Sequence, residues 1–87
     1  MFPRFLQFIS DTSWVIVIHE GVAEVTRGKV TDRFARECAR ELKEEGVLKG
    51  EIRGVKKEGY VGLEFSKSIP EEMHQRLRNI WSTHDPD

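Results

Sequence analysis

The chain has 87 residues, a formal net charge of −1 and a single cysteine, which bounds it to one small domain with no intramolecular disulfide and no multi-cysteine zinc site. With 38% hydrophobic and 33% charged residues, it is too apolar to be disordered and too balanced in charge to be drawn as a whole to nucleic acid or anionic lipid. Charge is nevertheless uneven, since residues 27–57 carry an excess of Lys and Arg and both flanking segments are acidic.

Residues 1–12 read as an aromatic arm or a short helix. Phe2, Phe5, Leu6 and Ile9 fall at helical spacing, and Phe2, Phe5 and Phe8 are three of the five phenylalanines. The stretch from Met1 to Ser10 falls short of the roughly 20 apolar residues that span a bilayer. The arm is therefore expected to pack on the domain, dock a partner or touch a membrane surface, and the protein is expected to be cytoplasmic.

Residues 13–82 read as the folded domain. Trp14 to His19 is a β-branched run with no polar alternation, which predicts a strand buried on both faces. Glu20-Gly21 predicts a two-residue turn, with a second strand over Val22 to Arg27 that Gly28 ends. Thr31 or Asp32 can cap a helix reaching about Glu45, with Gly46 in the position after the helix that favours a left-handed backbone. On that helix Phe34, Ala35, Cys38, Ala39 and Leu42 form one apolar stripe. A basic ridge (Arg33, Arg36, Arg40, Lys43) borders one flank of the stripe, and an acidic ridge (Glu37, Glu41, Glu44, Glu45) borders the other.

Two further strands are predicted over Leu48 to Val55 and Tyr60 to Ser66, joined by Lys56-Lys-Glu-Gly59. Val61, Leu63 and Phe65 share one face of the last strand, and Tyr60, Gly62 and Glu64 share the other. Glycines at 50, 54 and 62 imply bulges or the close approach of another group. Ser68-Ile-Pro-Glu71 matches a capping box, opening a helix that buries Met73, Leu77, Ile80 and Trp81. Residues 83–87 read as a flexible tail. The expected fold is α+β: ββαββα, a four-stranded and mostly antiparallel sheet with both helices on one face.

Several runs carry a family resemblance. They are Glu20-Gly21-Val22, Arg27-Gly28-Lys29-Val30, a helix containing Cys38, Leu48-Lys-Gly-Glu-Ile, Phe65-Ser-Lys-Ser-Ile-Pro-Glu-Glu and Gln75-Arg-Leu-Arg-Asn79. Over about residues 15–81 the chain resembles a family of small bacterial proteins of unknown function. The resemblance implies a small cytoplasmic domain, which members commonly join to one N-terminal membrane segment. Here Met1 to Ser10 is too short and interrupted to match that segment. No activity comes with the resemblance.

No catalytic constellation is legible. Cys38 sits in the apolar stripe, where a small buried residue is wanted. His19, His74 and His84 lie on a strand, a helix and the tail, without the spacing of metal ligands. Glu71 and Glu72 offset the macrodipole at a helix start. The expected function is therefore a non-catalytic binding or adaptor module with no cofactor, acting in protein–protein interaction or self-association. Phe2, Phe5, Phe8, Trp14 and Tyr60 are the candidate docking residues, together with an open sheet edge. The alternative is nucleic-acid binding, RNA above all, through Arg36, Arg40, Arg53, Lys56 and Lys57 on the helix ridge and hairpin tip.

Overall fold

The computed structural model describes residues 12–83, so Phe2, Phe5 and Phe8 lie outside the described residues. Four strands, β1 (Thr12–His19), β2 (Val22–Gly28), β3 (Gly50–Lys57) and β4 (Tyr60–Phe65), form one antiparallel sheet in the order β2-β1-β3-β4. Helix α1 (Asp32–Glu44) follows β2, and α2 (Glu71–Thr83) follows β4. The architecture is the ββαββα α+β domain read from the chain.

Local chemistry fixes most element ends. Glu20 (φ 53°) and Gly21 (φ 80°) are both left-handed, the two-residue turn whose twist matches the flanking strands. Thr31 caps α1 by accepting a hydrogen bond from the Phe34 amide at 3.2 Å. At the other end, Val47 N–H donates to Leu42 O at 2.8 Å and Gly46 N–H to Lys43 O at 3.0 Å, with Gly46 left-handed at φ 81°. That pair of bonds is a Schellman closure. Two expectations need correction. β3 extends to Lys57, so the hairpin turn is Glu58-Gly59 alone. Nor does Ser68 make the capping box: its hydroxyl pairs with Ser66 Oγ at 2.8 Å, while α2 begins at Glu71 with Met73 N–H bonded to Pro70 O.

The core lies between the helices and one sheet face. Trp14, Ile16 and Ile18 of β1, Ile52 of β3 and Leu63 of β4 pack against Phe34, Ala35, Cys38, Ala39, Leu42, Ile69, Met73 and Leu77. β1 is a central strand, and the valines of its other face are also withdrawn from water: Val15 is buried and Val17 half-buried. This explains its unbroken apolar run. Trp14, offered above as a docking residue, is 3% exposed and belongs to the core. Its cross-strand partners are Gly28 and Gly54, and a Cβ on Gly54 would overlap the indole ring.

Gly54→Ala is therefore expected to lower stability by about 1–3 kcal/mol, the usual range for forcing carbon into a packed core. Urea denaturation measures it, and an unchanged midpoint would contradict this account of the Trp14 seat.

Candidate functional site

Packing of Trp14 sets the geometry at one end of the domain. Its ring lies 5.9 Å from Phe34 and 5.4 Å from Trp81, and Phe34 and Trp81 are 4.9 Å apart, centroid to centroid. The Trp81 indole N–H then donates to Val61 O at 3.0 Å. Apolar contact plus one directed bond is the usual way a partly buried tryptophan is satisfied. Together they pin the C-terminal turn of α2 against β4.

Among the described residues β4 is an edge strand. The Glu51 and Ser66 amides bond across the ladder, to Ser66 Oγ at 2.9 Å and to Glu51 O at 3.0 Å. With the two-residue turn pairing Lys57 and Tyr60, this sets the alternation. Gly62 and Glu64 face β3 with their backbone groups, and Val61, Leu63 and Phe65 turn theirs to the open side. Trp81 takes the Val61 carbonyl. Beside this edge runs a depression of about 440 Å³ lined by Tyr60, Val61, Gly62, Leu63, Glu64, Lys57, Arg78 and Trp81. Tyr60 is 64% exposed. Lys57 Nζ meets Glu64 Oε2 at 3.4 Å, and the Arg78 guanidinium lies 5.4 Å from the Phe65 ring centroid. Phe65 in turn stacks on His74 at 4.3 Å. The groove thus joins an open backbone ladder, exposed aromatic surface and a cation at its rim.

The basic residues singled out from the sequence do not converge. Arg36 and Arg40 lie with Arg33 on the outward side of α1, bordering a depression of about 270 Å³. Arg53 is half-buried on the sheet face opposite the helices, in register with Val15 and Glu64. Lys56 and Lys57 sit at the end of β3 next to the other edge of the sheet, with Lys57 paired. The acidic ridge of α1 has a structural role: Arg76 of α2 bonds Glu41 Oε1 at 3.3 Å and Glu45 Oε2 at 3.4 Å. Sequence reasoning missed Trp81 as a surface-forming residue. Trp81 was placed wholly in the apolar stripe of α2, but its position at the margin of that stripe, near the helix end, was the available signal.

Among the described residues there is no cluster of three or more His, Cys, Asp or Glu able to hold a metal, and no helix long and apolar enough to cross a membrane. Cys38 is buried, and its thiol is pushed up to about 12, first by burial and then by the charges of Glu37 and Glu41. A group raised in this way costs the folded state nothing below the unfolded pKa. Above pH 9 the unfolded chain releases the proton first, so stability falls as pH rises from about 9 toward 12.

The chain matches the model of a family described as protein of unknown function (DUF3634) over residues 7–87, and it belongs to that family. No curated protein and no solved structure matches it.

The shift at Cys38 predicts that alkylation of the folded protein at pH 8 is about a thousandfold slower than that of the urea-unfolded chain, in line with the lost thiolate. Comparable rates would place Cys38 outside the core and reopen a reactive role.

Proposed function

We propose that this protein is a non-catalytic interaction module that takes an extended segment of a partner protein along β4. The observation that carries the reading is the edge itself. Leu63 and Phe65 present backbone N–H and C=O groups outward, beside a groove of about 440 Å³ rimmed by Tyr60, Trp81 and Arg78. Strand addition gains affinity from main-chain hydrogen bonds, and specificity from pockets that receive every second side chain. Edges left in this state are usually shielded by charge, proline or a bulge. Along β4 the residues are Tyr60-Val-Gly-Leu-Glu-Phe65, with one charge and no proline.

Gly62 contributes by having no side chain. The space it leaves is taken by the Lys57 side chain and the Tyr60 ring, which a Cβ at position 62 would meet at 3.2 and 3.6 Å. Arg78 supplies a positive rim, whereas Lys57 and Glu64 neutralise each other. The segment that fits is extended, apolar at alternate positions, and acidic where it passes Arg78. Tyrosine, tryptophan and arginine are the residue types that most often dominate such contacts.

Selection from a random peptide library should enrich sequences of that pattern. On titration with such a peptide, amide shifts should concentrate at residues 60–65 and 78–81. Tyr60→Ala should weaken binding about tenfold. Shifts centred on another surface, or equal binding by the variant, would contradict the assignment.

A further inference from the structure

Among the described residues some cations of this domain have a structural partner and others have none; Lys43, Lys49, Lys56 and Lys67 of the second group lie singly, but the rest follow one another from β2 into α1. Arg76 bridges the helices through Glu41 and Glu45, Lys57 pairs with Glu64, and Arg78 lies over Phe65. By contrast, among the described residues Arg27, Lys29, Arg33, Arg36 and Arg40 form no ion pair or side-chain hydrogen bond, although Glu37 stands among the three arginines of α1. They follow one another from the end of β2, through the segment entering α1, and along the helix's outward side.

Their positions oppose what helix stability favours. The positive end of the macrodipole lies at the start of α1, yet Arg33 stands in the first turn and Arg36 next to it. Glu41, Glu44 and Glu45 crowd the negative end. Arg76 offsets the charge of Glu41 and Glu45. Asp32 in the first turn and Glu37, four residues on from Arg33, answer part of this charge, but three arginines against the one glutamate leave the depression positive. We propose that Arg33, Arg36 and Arg40, continued by Lys29 and Arg27, form a track for the phosphate backbone of a single-stranded nucleic acid. This site is separate from the β4 groove and does not depend on it.

The chemistry selects that class of ligand. Three guanidiniums line a depression of about 270 Å³, and their planar forks match phosphate oxygens in bidentate fashion. From residue 33 to residue 40 the helix rises about 10 Å, enough to meet two successive phosphates of a flexible strand. An acidic protein surface fits less well, because specific protein interfaces need a dehydrated apolar centre and every described residue lining this depression is charged. A nucleic-acid backbone binds through charge and counterion release alone. A flat anionic membrane would also meet the acidic residues of a molecule whose net charge is −1. Among the described residues no aromatic side chain lines the depression, so binding is expected to be indifferent to sequence.

The test uses the full chain and a fluorescent 12-nucleotide single strand, with polyglutamate and phosphatidylserine vesicles as competing ligands. Binding is measured by anisotropy between 25 and 200 mM salt. The expected logarithmic salt slope is about −3 for four to five phosphate contacts, at about 0.7 per contact. Arg36→Gln with Arg40→Gln should flatten that slope by about 1.4. Lys56→Gln with Lys57→Gln should leave it unchanged. Glu37→Gln should tighten binding, a gain that no folding defect could mimic. Absence of binding to the strand at 25 mM salt would overturn the proposal. So would an unchanged slope in the double arginine variant, or binding confined to polyglutamate or to vesicles.

Discussion

The fold depends on seating one large indole on a central strand. Trp14 lies between Gly28 and Gly54, its partners on the two neighbouring strands, and only a backbone without a side chain at position 54 leaves room for the ring. From that seat the ring meets Phe34 at the start of α1 and Trp81 at the end of α2. Two helices far apart in the chain are thereby brought to the same end of the sheet. The bond from Trp81 to Val61 O carries the effect to the edge. One residue choice in β3 thus fixes how α2 stands over β4, and with it the shape of the groove.

Charge follows a similar logic. The helix α1 is two-sided, and its sides are used differently. Its acidic flank is drawn into the domain by Arg76, which reaches both Glu41 and Glu45. These pairs are exposed, so their value is modest and lies more in orienting the helices than in stabilising them. Among the described residues the basic flank has no ion pair of this kind. Between the flanks, Cys38 is held as an inert thiol by burial and by the same glutamates. Reactivity and metal binding would both need a thiolate that this environment disfavours.

Much of this was legible in the chain because it is written in local periods. The stripe Phe34, Ala35, Cys38, Ala39 and Leu42 is buried as its spacing demands, and the left-handed Glu20-Gly21 and Gly46 close a turn and a helix as their residue types suggest. The unbroken run in β1 signals burial on both faces, and on the face away from the helices Val15 is buried and Val17 half-buried. Pairing order, in contrast, is a long-range property. Nothing local says that β1 lies between β2 and β3, and hence that β4 is left at an edge. The same gap misled the reading of single residues. Trp14 looked like an adhesive aromatic until its glycine partners were known, and whether Arg53, Lys57 and Arg40 share a surface is legible only once the sheet sets them on different ones. Ser68 had the right spacing for a cap, but Ser66 was closer to hand.

The open edge of β4 is the claim from which the interaction reading follows, and amide hydrogen exchange of the free protein tests it residue by residue. Gly62 and Glu64 direct their amides into the ladder with β3, and Leu63 and Phe65 direct theirs outward. Protection should therefore alternate along the strand, with Leu63 and Phe65 exchanging about tenfold or more faster than Gly62 and Glu64. Uniform protection from Gly62 to Phe65 would mean that the edge is already covered, and a partner strand would have nowhere to add.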